Sequence, residues 1–164
     1  MVFFFLSVFF FFRGIISFDA FAGPDELPEY KVKAVFIYNF ANFVEWPSDK
    51  LPKPDKSLTL CVLGDDPFGA NLTAIKGKTI RGRTVESKTT MSIEKAKNCD
   101  CLFISDSEKS NVAKILGDLK DHKVLTISDM KGFLEAGGII QFVLENRNVR
   151  FLINMGAAKR AQKA

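Results

Sequence analysis

A chain of 164 residues is long enough for one domain with a buried core and too short for two domains of ordinary size. Apolar residues make up 47% of the chain and charged residues 26%, which is typical of a globular protein. The formal net charge is +4, but basic residues are interleaved with acidic ones and no stripe of arginine and aromatic residues occurs, so we expect no nucleic-acid-binding surface.

The N-terminal segment predicts a cleaved signal peptide over residues 1–22. Its phenylalanine-rich run from Val2 to Phe12 is shorter than the about 20 apolar residues that a membrane-spanning helix needs. Ala20–Ala22 then offers the small-x-small pattern that signal peptidase accepts. Because no basic residue precedes the run and Arg13 interrupts the apolar region, an uncleaved anchor or a misassigned start codon are the alternatives. The mature domain is expected to cover residues 23–164.

Helices and strands alternate along the mature domain. Apolar residues three or four apart predict helices, and short apolar runs of four to eight residues predict strands. In chain order, the elements are a helix over Pro28–Val44, a strand over Ser57–Leu63, a helix over Phe68–Lys76, an exposed edge strand over Thr79–Ser87, a short helix over Ser92–Lys97 with Ser92 as its cap, a strand over Cys101–Ile104, a helix from Ser105 to about Leu119, a strand over Val124–Ile127, a hairpin of Ile139–Leu144 and Val149–Ile153, and a short helix over Ala157–Ala164.

This alternation predicts an α/β fold. Strands separated by helices form a mostly parallel sheet with helices on both faces and right-handed crossovers. The closing hairpin has to add antiparallel strands at the C-terminal end of the sheet. We therefore expect a single domain of this class.

No arrangement of catalytic residues stands out. His122 is the only histidine, and its place in the polar loop 120–123 favours a surface position over a catalytic one. Motifs for a nucleophile elbow, a phosphate loop or a zinc protease are missing. The loop Gly64–Gly69 follows a strand, where doubly wound folds place ligands, but Asp65 and Asp66 disfavour phosphate and a helix-start turn is the simpler interpretation. We expect no enzyme activity, no metal and no cofactor.

The three cysteines, Cys61, Cys99 and Cys101, belong to a chain that is expected to reach an oxidising compartment. If the strands that contain Cys61 and Cys101 are neighbours, a bridge between Cys61 and Cys99 is geometrically reasonable. A bridge between Cys99 and Cys101 would close a very tight ring and is disfavoured. The remaining alternative is that all three thiols stay reduced.

Trp46 is the only tryptophan of the chain. It follows Phe40, Phe43 and Glu45 at the C-terminal end of the first predicted helix. Core packing explains the phenylalanines, whereas Trp46 either caps the core or lines a pocket.

An ordered set of segments resembles the YfiR family of bacterial periplasmic proteins. The resemblance covers roughly residues 28–160, and the order and spacing of the segments carry it, because each one alone is a weak signal. The segments are Tyr30–Pro47, Leu60–Gly69, Gly77–Ile80, Cys101–Ser105, Val124–Asp129, Gly132–Gly138, Ile140–Glu145 and Val149–Asn154.

The resemblance implies a Rossmann-like α/β domain that forms a homodimer in the periplasm and acts by binding. Its implied partner is the periplasmic sensor domain of an inner-membrane diguanylate cyclase, which it holds inactive, so that cyclic di-GMP falls. The alternative function is a periplasmic small-ligand binding module that serves a sensor or transport system.

The resemblance also implies site residues. A redox-sensitive cysteine pair of the family matches Cys61 and Cys99. A small-molecule site is expected near Glu45 and Trp46 and at Arg150 in the last strand. The partner surface is expected on the closing hairpin, at Gln141, Leu144 and Glu145.

Three features depart from the family's pattern. Glu45 stands where some members carry a basic residue, which disfavours a phosphate ligand. A second cysteine pair of some relatives is missing, so we expect a single bridge. Relatives usually continue through another helix beyond the position of Ala164, so a truncated C-terminal helix and thin cover for the last strand are expected.

Overall fold

The structure is a computed structural model that describes residues 29–46 and 57–163. The predicted signal peptide over residues 1–22 lies outside the described residues. The helices are α1 Glu29–Phe43, α2 Ala70–Thr73, α3 Ile93–Ala96, α4 Val112–Leu119 and α5 Met155–Lys163, with a 3-10 helix over Asp106–Asn111 before α4. The strands are β1 Leu58–Leu63, β2 Thr79–Ile80, β3 Arg83–Thr90, β4 Cys101–Ile104, β5 Leu125–Ser128, β6 Ile140–Glu145 and β7 Asn148–Ile153.

The described strands form one seven-stranded sheet in the order β2-β3-β1-β4-β5-β6-β7. The five strands from β3 to β6 in that order run parallel, and β2 and β7 join the two edges in antiparallel orientation. This topology confirms the prediction of an α/β fold with a mostly parallel sheet and a C-terminal antiparallel hairpin.

Each face of the sheet carries its own apolar core, as the near-continuous apolar sequence of β1 requires. Leu58, Leu60 and Val62 point to one face, where they join buried residues of α1, α2 and α5. Cys61 and Leu63 point to the other face, where they join buried residues of α3 and α4. The predicted helices on both faces are therefore confirmed.

The prediction of a single edge strand over Thr79–Ser87 is wrong. Arg81 and Gly82 have positive φ angles of 48° and 81°, which a strand does not accommodate, and they form a two-residue turn. The turn folds β2 back onto β3, with Ile80 opposite Arg83. β2 covers β3 only opposite Arg83 and Thr84, and no described strand pairs with the remainder of β3 on this side, whereas β1 pairs with β3 on the other side.

The local boundaries of two helices also differ from the predictions. α2 covers only four residues, and hydrogen bonds of three-residue spacing, such as Lys76 N–H to Thr73 O at 3.1 Å, continue the chain as turns. The helix predicted from Ser105 begins with the 3-10 helix, and regular α-helix starts at Val112. The predicted cap of α3 is confirmed, since the Ser92 side chain accepts a hydrogen bond from Lys95 N–H.

Candidate functional site

The end of α1 forms one wall of a cavity of about 320 Å³, whose other walls come from the start of β5 and from α5. Trp46 is 8% exposed, and its Nε1–H donates a hydrogen bond of 3.1 Å to Ala41 O, so its polar atom is satisfied where the ring is buried. Trp46 belongs to the core and also lines the cavity, so both interpretations of this residue hold. We call this space the Trp46 cavity.

Two of the three residues expected at a small-molecule site lie in the same cavity. Glu45 and Trp46 both line the Trp46 cavity, and the Glu45 side chain is exposed at its rim. Arg150 is not among the lining residues, because it lies on β7 with its Nε 2.6 Å from Glu145 Oε2. The carboxylate of Glu45 disfavours a phosphate ligand here, whereas the apolar walls suit an uncharged or aromatic group.

The closing hairpin exposes apolar side chains at an open sheet edge. Among the described strands, β7 is the last of the sheet and pairs only with β6, so no described strand covers its outer backbone edge. The large exposed apolar residues on and beside it are Leu144, Phe151, Leu152, Ile153 and Met155, with exposed fractions of 37% to 61%. We call these five residues the hairpin surface.

The three hairpin residues expected at a partner surface have different positions. Leu144 belongs to the hairpin surface, and Glu145 is exposed and paired with Arg150. Gln141 is 8% exposed, and its Oε1 accepts hydrogen bonds from Phe133 N–H at 3.1 Å and Leu134 N–H at 3.3 Å. The side chain of Gln141 therefore holds the loop before β6, and its contact with a partner stays a prediction.

A cluster of four phenylalanines joins the hairpin to α1. The ring of Phe151 lies 4.8 Å from that of Phe40 and 5.5 Å from that of Phe36, and Phe142 packs against both α1 rings. One residue beyond Phe40, Ala41 O accepts the hydrogen bond from Trp46. α1 therefore contacts both the hairpin surface and the Trp46 cavity.

A disulfide joins Cys61 and Cys99, with a Cα–Cα distance of 6.0 Å. It links β1 to the segment that enters the neighbouring strand β4, whose register places Cys61 opposite Leu102. Cys101 is buried and unbridged in the core of the opposite face, so it points away from Cys99. The bridged cysteines also line a surface cleft of about 420 Å³ beside Lys88 and Lys95, which gives a reductant a route to the bond.

A buried ionic cluster joins the start of α1 to the end of β5. Lys33 is 2% exposed, its Nζ lies 2.6 Å from Asp129 Oδ2, and it also pairs with Glu29. Tyr30 donates a hydrogen bond of 2.9 Å to the same Asp129 oxygen, and the Lys33 Nζ lies 4.3 Å from the Tyr30 ring centroid. Burial, followed by the hydrogen bond to Asp129, raises the pKa of Tyr30 above its ordinary value.

Sequence reasoning missed this cluster. A lysine on an otherwise apolar helix face was the one available signal, since Phe36, Ile37 and Phe40 follow Lys33 at helical spacing. The cluster borders an open cleft of about 600 Å³ that continues to Leu144.

The topological switch point of the sheet, between β1 and β4, holds two loops in contact. Asp65 N–H donates to Ser107 Oγ at 3.0 Å, and a Cβ at Gly64 would lie 2.4 Å from that oxygen. Asp66 Oδ1 accepts a hydrogen bond of 2.8 Å from Phe68 N–H. The interpretation of this loop as a helix-start turn is therefore confirmed, although doubly wound folds often bind ligands at this place.

The described residues offer two further observations on chemistry and membrane contact. Within residues 29–46 and 57–163, no three His, Cys, Asp or Glu side chains group closely enough to hold a metal ion. In the same part of the chain, no helix has the length and apolar character needed to cross a bilayer.

A protein-family model described as YfiR/HmsC-like matches residues 30–162, which is most of the chain. The comparison with curated proteins gives no match. The matched range begins in α1 and ends in α5, so it contains the Trp46 cavity, the disulfide and the hairpin surface.

Proposed function

The chain belongs to the YfiR/HmsC-like family, and from that premise we propose that it is a periplasmic regulator of an inner-membrane diguanylate cyclase. It binds the sensor domain of the cyclase, holds the enzyme inactive and so lowers cyclic di-GMP. The protein itself catalyses no reaction in this proposal. Export through the N-terminal signal peptide delivers it to the compartment where the sensor domain and an oxidising environment are found.

The hairpin surface is the observation that carries the proposal. Its large apolar side chains are exposed beside the open backbone edge of β7, which is the pattern expected of a protein-binding surface. An exposed apolar edge of this kind invites aggregation unless a partner covers it. A sensor domain that adds a strand to β7 would pair with this backbone edge. It would then contact Phe151 and Ile153 on one face of the hairpin and Leu152 on the other, because successive side chains of a strand alternate between faces.

Inhibition requires more than binding. A partner shifts the cyclase toward its inactive conformation only by the difference between its affinities for the inactive and the active conformation. The hairpin surface must therefore fit the inactive sensor domain better. A shift of the cyclase from about 99% active to about 99% inactive requires the inactive conformation to bind about 10⁴ times more tightly than the active one.

A surface substitution tests the proposed contact. Leu152→Asp places a charge on the edge strand β7, where Leu152 is 52% exposed and packs in neither core. We expect the affinity for the purified sensor domain, measured by titration calorimetry, to fall at least about tenfold, because a desolvated unpaired charge costs more than 1.4 kcal/mol.

The matched control for that substitution is Met91→Asp. Met91 is 70% exposed just after β3, in the half of the sheet away from the hairpin. Its substitution should leave the affinity unchanged. Equal losses for Leu152→Asp and Met91→Asp, with both variants folded, would show that the hairpin does not bind the sensor domain.

A second candidate function is a small-ligand binding module that serves a sensor or transport system, and the Trp46 cavity favours it. Trp46 is the only tryptophan of the chain, so a change in intrinsic fluorescence reports directly on ligand entry. The variant Ala158→Phe fills the cavity from α5 and leaves every residue of the hairpin surface unchanged in sequence. If this variant loses ligand binding and still inhibits the cyclase, the regulatory function does not need the ligand. If neither the wild type nor the variant inhibits the cyclase, the binding module is favoured.

A further inference from the structure

A second cavity lies on the other side of α5 from the Trp46 cavity. It is an open cavity of about 260 Å³, lined by the end of α4, the loop before β5, the loop before β6 and α5. The two cavities share Val124, Ile139 and Ala161 as lining residues. Both lie at the ends where β5 and β6 begin, opposite to the ends where Rossmann-like sheets usually bind ligands.

The charged and titratable residues that line this second cavity are all basic. Lys120 and His122 enter it from the loop after α4, and Arg160 enters it from α5. No Asp or Glu is among the lining residues of the described chain. Of the acidic residues nearest in sequence, Asp118 pairs with Lys114 at 2.9 Å and Asp121 does not line the cavity. Glu135, next to the lining residue Ala136, lines the cleft beside Lys33 instead.

Helix electrostatics explains only part of this arrangement. A lysine just beyond the last turn of α4 is favoured by the negative end of the helix dipole, which accounts for Lys120. His122 lies beyond the helix, and Arg160 belongs to a different helix, so the same effect does not place them there. No hydrogen bond or ion pair to another described residue occupies the side chains of the three residues.

The rest of the lining is apolar. Leu116, Val124, Ile139 and Ala157 are buried residues that contribute to the walls. An inorganic ion would leave this apolar surface uncovered, whereas a ligand with a hydrocarbon or aromatic body would cover it.

We propose that this cavity binds a small organic monoanion, a carboxylate with an apolar body, between Arg160, His122 and Lys120. The guanidinium of Arg160 offers paired N–H donors that match a carboxylate, and an imidazole always has at least one N–H to donate. The apolar body lies against Leu116, Val124 and Ile139. This site adjoins the expected ligand site at Glu45 and Trp46 but takes its charged residues from the other side of the shared wall. It does not depend on the proposed cyclase partner.

Benzoate and its neutral analogue benzamide test the charge requirement on the mature chain. We expect benzoate at millimolar concentration to raise the thermal unfolding midpoint and benzamide to leave it unchanged, because binding to the folded state alone stabilises it. Titration calorimetry then gives the dissociation constants. Inorganic phosphate serves as a third probe and should bind more weakly than benzoate, since it has no apolar body.

Two charge-removing variants form a matched pair on α5. Arg160→Gln should weaken benzoate binding at least about tenfold, because it removes a charge-assisted hydrogen bond. Lys159→Gln removes the same charge one residue away, outside the cavity, and should leave binding unchanged. Ala113→Leu narrows the cavity without any change of charge and should abolish binding.

Three outcomes would overturn the proposal. One is the absence of benzoate binding to the folded wild-type chain. Another is equal binding of benzoate and benzamide, which would show that charge has no role. The third is an equal loss in Arg160→Gln and Lys159→Gln, which would show only a general response to net charge.

Discussion

Lys33 is a deeply buried cation, and its ion pair with Asp129 connects α1 to the end of β5. Its side chain is 3% exposed and that of Asp129 is 17% exposed, so their ion pair is largely shielded from water. The cation also lies 6.0 Å from the ring centroid of Phe142 on β6. Loss of Lys33 would leave two carboxylates, Asp129 and Glu29, close together without their counter-ion.

Lys33→Met should therefore destabilise the fold. Removing one partner of a buried pair costs about 3 kcal/mol, because the remaining charge is left uncompensated. Urea unfolding followed by circular dichroism measures the loss. The matched control Lys88→Met removes an exposed lysine that pairs with Glu86 on the surface, and it should leave the unfolding midpoint unchanged. Equal effects of the two variants would contradict the account of Lys33.

Tyr30 gives the same cluster a pH dependence. Its pKa is raised above the ordinary value of 10.0 by burial and by the hydrogen bond to Asp129, so above pH 10 the folded state holds a proton that the unfolded state has lost. The protonated Tyr30 therefore contributes its full share to the free energy of unfolding below pH 10, and this contribution declines as the pH rises above 10.

The variant Tyr30→Phe isolates this contribution. At pH 8 it should be less stable than the wild type by about 1 kcal/mol, the usual net value of one hydrogen bond. The difference in free energy of unfolding between the two proteins should shrink in urea titrations at pH 10 and pH 11. Unfolding then releases the tyrosine proton in the wild type, which favours its unfolded state, whereas the variant has no such proton. A difference that is constant or grows over this range would show that the phenol is not held in its protonated form.

At the scale of elements, the disulfide fastens β1 to the entry of β4. The bridged residues are separated by 38 positions, so the chain-entropy model gives a stabilisation of about 4 kcal/mol. We expect dithiothreitol to lower the free energy of unfolding by about this amount, and the double variant Cys61→Ala with Cys99→Ala to match the reduced wild type.

Cys101→Ala is the control for the bridge. Cys101 is buried and unbridged, so this variant should keep its response to dithiothreitol. Mass spectrometry of the non-reduced mature protein should find the peptides of Cys61 and Cys99 linked. Free thiols at both positions would defeat the prediction.

Elements defined by local pattern were predictable from the sequence. β4 is an uninterrupted apolar run, β1 is interrupted only by Thr59, and α3 has a serine cap with a glutamate in its first turn. The division of β2 from β3 was missed, because Arg81 adopts a left-handed conformation that only the glycine after it suggests. Local sequence patterns thus predict buried strands and helix caps, but they do not predict that the chain reverses direction at Arg81 and Gly82.

Contacts between distant parts of the chain were mostly not predictable. Lys33 and Asp129 are 96 positions apart, and no local pattern links them. The same limit applies to Arg150, which the structure pairs with Glu145 instead of placing it in the Trp46 cavity. The bridge between Cys61 and Cys99 was predicted from the family resemblance and on the condition that their strands are neighbours, and the structure fulfils that condition by pairing β1 with β4.

At the scale of the whole molecule, α1 connects the sites on one face of the sheet. It begins in the Lys33 cluster, packs against Phe142 and Phe151 of the hairpin, and ends at Phe43, three residues before Trp46. A ligand that moves the end of α1 would therefore act on the packing of the hairpin surface. The expected homodimer adds a separate assembly step, which sedimentation of the mature protein measures.

The most direct test of the central claim is the activity of the cognate cyclase in the presence of this protein. Full-length cyclase is reconstituted in vesicles with its sensor domain outward, GTP is enclosed, and the mature protein is added outside. We expect the production of cyclic di-GMP to fall in a saturable manner with wild-type protein and Met91→Asp, and to be restored with Leu152→Asp. Cyclic di-GMP production that stays constant at saturating wild-type protein would contradict the account.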